Sequence, residues 1–254
     1  MRQSPLYLAV KMKVHLSADY QSEIWFYPAC TISGQLAAVE LVSQFVHSSA
    51  PVTLPQDLLL PQLDEMQRLR LLQRQVAVLE QYRDFFVKNH VLALMRIDEN
   101  MARTLLASEL LIRKIKQLPF LLLDISETFQ QLLNGINDPL IFALKQQFRL
   151  SLSHFGAGKS STRAVYDNLF DCIKLDKQFI QSLAKRASFL PFIQSIIDNF
   201  RSHAQMMIIC GIDDRTLLDK TATLQDAVLQ GALFPPVKAE ALPRLITSQY
   251  CAPD

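Results

Sequence analysis

Short apolar runs alternate along the chain with segments whose apolar residues recur every three or four positions, from about residue 24 to about residue 230. Residues 24–32, IWFYPACTI, are rich in β-formers, Ser33-Gly34 supplies a turn, and a second apolar run extends from Leu36 to Val46. This spacing predicts a hairpin, with the first strand antiparallel to the second. After the Pro-containing stretch 51–61, Leu63, Met66, Leu69, Leu72, Val76, Leu79 and Phe86 recur at helical intervals and predict one long amphipathic helix. Strands are then predicted near 91–97, 119–124, 148–153, 171–175, 205–210 and 226–229. Helices are predicted between them, from about 99, 126 and 161 and over 177–200 and 214–221. Strand and helix in regular succession define an α/β protein with a mainly parallel sheet, and about eight strands in one unit point to closure into a (β/α)8, TIM-like barrel. An open doubly wound sheet is the alternative.

The 254 residues suit one such barrel, and no Ser/Gly-rich or single-sign charged linker divides them, so a single domain over 1–254 is expected, with its core at about 24–240 and less ordered ends. Half the residues are apolar and 20% are charged, which leaves ample material for a buried core. The formal net charge of +2 comes without a basic stripe, which argues against direct DNA binding. The densest basic segment, Arg113, Lys114 and Lys116, reads as the solvated face of a helix. Cys30, Cys172, Cys210 and Cys251 are far apart in sequence, which suggests neither a zinc site nor a disulfide framework, and reduced, buried thiols are expected. No apolar run approaches a membrane span and no secretory leader pattern is present, so the expected location is the cytoplasm.

Phe155-Gly156-Ala157-Gly158-Lys159-Ser160-Ser161 follows a predicted strand and opens a predicted helix, the context of a phosphate-binding loop. The full motif needs a glycine five residues before Gly158, where Ser153 stands. The segment fits another pattern better: it resembles the end of the Asp-Asp-Phe-Gly-x-Gly-x-Ser-Ser loop of EAL-domain phosphodiesterases. Other matches fall in the family's order. Phe26-Tyr27-Pro28 stands for the opening Tyr-Gln-Pro, Glu40-Leu41-Val42 for Glu-Ala-Leu, and Asp124-Ile125-Ser126-Glu127 for Glu-Ile-Thr-Glu. Lys174-Leu175-Asp176 with Phe179 stands for Lys-Ile-Asp-x-x-Phe, Cys210-Gly211-Ile212-Asp213 for Glu-Gly-Val-Glu, and Gln230-Gly231 for the terminal Gln-Gly. Seven ordered matches span residues 25–236. They are most similar to the degenerate, YdiV-like members of the family, anti-flagellar regulators of enterobacteria. The resemblance implies an EAL-type barrel with an antiparallel first strand.

Active members of that family hold two divalent cations with acidic and amide side chains at the carboxyl ends of the strands. By resemblance, Glu40 keeps its carboxylate and Asp124 keeps one on a shorter arm, while the metal-binding Asn is replaced by Arg96, a permanent cation that ligates no metal. The Asp pair becomes Ser153 and His154, and a Glu becomes Cys210. Lys174, matching the catalytic Lys, and Gln230 survive, but without metal there is no activated water for them to handle. The expectation is a site that is neither catalytic nor metal-binding, in which the Arg96 guanidinium pairs with Glu40 or Asp124 in the cation's place.

Cyclic-di-GMP binding is expected to be weak or absent. The phosphate-contacting Arg of the family becomes Gln44, and Tyr27 adds bulk where a Gln would stand. No cofactor is expected. The resemblance implies a non-enzymatic regulator whose partner is FlhD of the flagellar activator FlhDC and which blocks promoter binding. A cyclic-di-GMP receptor or a residual phosphodiesterase is the alternative. Leu105, Leu106, Leu110 and Leu111, or Phe189, Leu190, Phe192 and Ile193, could form a contact surface. Outer helices of a barrel, however, use such residues mainly to pack on the strands, and the partner-binding residues stay unassigned.

Overall fold

The computed structural model of the chain describes residues 13–15, 19–47, 53–158, 162–224 and 226–246. Eight strands close into a barrel: β1 Asp19–Thr31, β2 Leu36–His47, β3 Leu92–Ile97, β4 Leu121–Ser126, β5 Leu150–Phe155, β6 Cys172–Leu175, β7 Met206–Cys210 and β8 Ala227–Gln230. From β2 to β8 neighbouring barrel strands run parallel, whereas β1 is antiparallel to both β2 and β8 and closes the ring. The β1–β2 hairpin turns at Gly34, whose φ of 78° suits a residue without Cβ, and Thr31 and Gln35 flank it with a backbone hydrogen bond of 2.8 Å. The parallel strands are short and nearly continuously apolar because the barrel interior covers one face and helices the other.

The predicted long helix is broken in two, α1 Glu65–Gln81 and α2 Arg83–Asn89. Asp64 and Gln67 form a reciprocal capping box at the start of α1, which fixes its first turn. Tyr82, at φ −99° and ψ 16°, separates the helices, and His90 ends α2 in the left-handed region. The outer ring continues with α3 Glu99–Leu106, α4 Glu109–Lys116, α5 Pro139–Gln147, α6 Thr162–Tyr166, α7 Lys177–Leu183, α8 Phe189–Phe200 and α9 Arg215–Thr221. The helix expected from about 126 is instead a turn and a 3-10 run, Gln130–Asn137, before α5. Gly135, at φ 56° and ψ −137°, breaks the run, and Asp138 and Pro139 restart the chain as the N-cap and first residue of α5.

Two apolar cores follow from this geometry. The larger lies between strands and helices and includes Phe86, fully buried and stacked on Phe120 at 4.5 Å. The smaller fills the barrel with Ala29, Ala38, Leu94, Leu122, Cys172, Ile208 and Val228, each from a different strand. Among the candidate contact residues, Leu105, Leu111, Phe189 and Ile193 are buried in the larger core, and Leu110 and Phe192 are exposed. Cys172 and Cys210 are free, but Cys30, buried in β1, is disulfide-bonded, which corrects the expectation of reduced thiols. Wide separation of cysteines in sequence does not exclude a disulfide. Cys251 lies outside the described residues, as do Lys159, Ser160 and Ser161.

Candidate functional site

Strand periodicity builds the site. Residues two apart on a strand face the same side, so a layer lies one step above the apolar filling of the barrel, toward the carboxyl ends of the parallel strands. Two residues beyond Ala38, Leu94, Leu122, Cys172, Ile208 and Val228 stand Glu40, Arg96, Asp124, Lys174, Cys210 and Gln230. On the antiparallel β1 the step runs backwards, from Ala29 to Tyr27, which pairs with Glu40 in the β1–β2 register. Six of the nine positions singled out from sequence therefore share one layer. Ser153 and His154 sit at the end of β5, and Gln44 lies four residues beyond Glu40 on β2.

The layer is held by charge. Lys174 Nζ donates to Glu40 Oε2 at 2.5 Å, Arg96 Nη2 to Glu40 Oε1 at 3.4 Å, and Arg96 Nε lies 3.7 Å from Asp124 Oδ2. Ser151 Oγ donates to Asp124 Oδ1 at 2.8 Å. Burial alone would raise the Glu40 carboxyl, but Lys174 and then Arg96 outweigh it and hold the group down at about 2. Burial works against the charge of Lys174, yet Glu40 and Asp124 raise it above the ordinary lysine value. The Cys210 thiol, pushed up to about 12 by burial, is not a thiolate at neutral pH.

The rest of the mouth is closed by polar contacts. Gln44 Nε2 donates to the Tyr27 hydroxyl at 2.8 Å, Gln230 Nε2 to the Tyr27 carbonyl at 3.3 Å, and Cys210 Sγ to Gln230 Oε1 at 3.6 Å. His154, with φ 59°, lies 3.3 Å from Asp176 through Nδ1. The next residues turn sharply at Gly156, φ 99°, whose N–H donates to Glu127 Oε2 at 3.1 Å. A cavity of about 430 Å³ is lined by Glu40, Arg96, Ser153, His154, Lys174, Cys210 and Gln230, and one of about 370 Å³ by Tyr27, Glu40, Gln44 and Arg96 among others.

The EAL domain model matches residues 13–236. The chain belongs to the EAL-domain family. It is 34% identical over 235 residues to the anti-FlhC(2)FlhD(4) factor YdiV of Salmonella arizonae, covering 92% of this chain and 99% of that protein. The YdiV of Salmonella typhimurium strain 14028s is 32% identical with the same coverage. The crystal structure of the EAL-like domain protein YdiV superposes with a TM-score of 0.83 at 30% identity, over 90% of this chain and 97% of that one. The EAL domain of FimX from Pseudomonas aeruginosa, bound to c-di-GMP, shares the fold at a TM-score of 0.64 and 14% identity, over 90% of this chain and 93% of that one.

The mouth does not fit the pair of divalent cations associated with EAL-type chemistry. Magnesium and calcium take six or more oxygen ligands, and the affinity comes from anionic ones. This layer offers two carboxylates, each already facing a cationic side chain. Among the described residues no three His, Cys, Asp or Glu side chains converge as a metal would require. No helix among them is long and apolar enough to cross a membrane. Ser151 was missed in the sequence, although it lies two residues before Ser153 and hence on the same face of β5. Asp176 was read only as a motif residue, yet it caps α7 through the Phe179 N–H and faces His154.

Proposed function

We propose that the chain is a non-enzymatic regulator that binds the flagellar master activator FlhDC through its FlhD subunit and keeps it from promoter DNA. Flagellar genes and motility would be repressed as a result. The observation that carries the reading is the Arg96–Glu40–Lys174 arrangement, in which side-chain cations engage the acid a hydrolytic metal would need. It is supported by end-to-end similarity to proteins named anti-FlhC(2)FlhD(4) factors. The nine mouth positions are then a vestige of a phosphodiesterase site, within a single degenerate EAL domain acting in the cytoplasm.

Cyclic-di-GMP is proposed to bind weakly or not at all. Tyr27 and Gln44 hydrogen-bond to each other in the mouth, and no arginine stands at residue 44 to grip a phosphate bidentately. The test has three arms with purified full chain: co-purification with the FlhC/FlhD complex, a promoter mobility shift with increasing chain, and cyclic-di-GMP hydrolysis and calorimetry with Mn²⁺. Stable co-purification with loss of the shifted promoter band, and no turnover, is expected. Metal-dependent hydrolysis, or an activator that ignores the chain, overturns the proposal.

A further inference from the structure

We infer that Arg96 is the resident cation of this barrel mouth: together with the retained Lys174 it balances the charge of Glu40 and Asp124 and makes the structure indifferent to divalent metal. Among the described residues the buried layer carries two carboxylates, Glu40 and Asp124, and two cations, Arg96 and Lys174, and the formal charges of these four side chains cancel. The cancellation is local. Each oxygen of Glu40 faces a different cation, Oε1 toward Arg96 and Oε2 toward Lys174. Asp124 is fully buried; its Oδ1 takes the Ser151 hydroxyl, and Oδ2 accepts no hydrogen bond but lies 3.7 Å from the guanidinium. A carboxylate buried in that way persists because positive charge is beside it.

The same contacts brace the ring. Arg96 on β3 lies between the acids of β2 and β4, and Glu40 reaches across the mouth to Lys174 on β6, 134 positions along the chain. An entering divalent ion would have to displace the guanidinium from two acids while adding charge to a neutral cluster. Removing Arg96 alone takes positive charge from beside both Glu40 and Asp124, a deficit that a metal ion or loss of an acid can offset.

The test is thermal unfolding of the full chain in EDTA and in millimolar Mn²⁺, for wild type, Arg96→Asn, Arg96→Lys and Arg96→Asn/Asp124→Asn. Wild type and Arg96→Lys are expected to unfold at the same temperature in both buffers. Arg96→Asn is expected to lose on the order of 5–10 °C in EDTA and to regain most of it in Mn²⁺. The double variant is expected to regain it in EDTA. If Arg96→Asn is too unstable to isolate without metal, purification in Mn²⁺ followed by EDTA-induced loss of near-ultraviolet circular dichroism reads the same dependence. A wild-type midpoint that rises with Mn²⁺ overturns the inference, as does an Arg96→Asn deficit that neither Mn²⁺ nor Asp124→Asn relieves.

Discussion

Acidification isolates the energetic worth of the Glu40 carboxylate. Its ordinary value of 4.5 falls to about 2 in the folded chain, and at roughly 1.4 kcal/mol per pH unit this corresponds to about 3 kcal/mol. Glu40 is only 13% exposed, so solvent screening removes little of it. The sign follows from the folded value lying below the unfolded one. The unfolded chain takes up the proton first, so the stabilisation is nearly complete above pH 4.5 and is lost as pH falls toward 2, with about three-fifths gone by pH 3. Other carboxylates also respond to acid, so the reference is Glu40→Gln/Lys174→Met, which removes both charges and strands neither. Glu40→Gln alone leaves the buried Lys174 without its nearest anion and is expected to cost about 3–5 kcal/mol at pH 6. Urea unfolding of wild type and the double variant at pH 6, 4.5 and 3 measures the difference directly. A wild-type advantage that stays constant from pH 6 to pH 3 refutes the reasoning.

Three further outcomes are expected. Phe86→Ala, which empties the stack on Phe120 and the edge contacts with Phe26 and Phe85, should lower stability by about 3–5 kcal/mol in urea unfolding. Gly156→Ala places a Cβ 2.8 Å from the Phe179 ring at φ 99° and should cost about 1–3 kcal/mol, read as a lower midpoint with an unchanged urea slope. Cys172 and Cys210, both pushed up to about 12 by burial, should resist iodoacetamide at pH 8 in the folded chain and react on unfolding, counted by mass spectrometry.

Local pattern carried much of this architecture. The β1–β2 hairpin was legible because β-formers flank Ser33-Gly34, and the order of strands because each is a short apolar run between helical periods. The site layer was legible only through family motifs, since composition says nothing about which inward positions share a level. Once strand bounds are known, stepping two residues from Leu94 or Leu122 yields Arg96 and Asp124 without any motif. What escaped depends on tertiary contact or on single residues. Tyr82 interrupts an otherwise continuous helical period, Gly135 and Pro139 reshape a stretch whose apolar spacing suits a helix, and the donation from Ser151 to Asp124 exists only because β4 and β5 are in register.

The strand that seals the ring is also the earliest of the eight to be synthesised, and its second neighbour is the latest. β1 pairs with β8 through Thr31–Val228 and Cys30–Leu229, so while the ribosome makes the roughly two hundred intervening residues, one edge of the nascent hairpin waits without its mate. An unmatched edge of β-formers is an aggregation template. Translation pauses or truncations upstream of residue 227 should therefore deliver this chain to chaperones and proteases, making yield in the cell sensitive to the last few turns of synthesis.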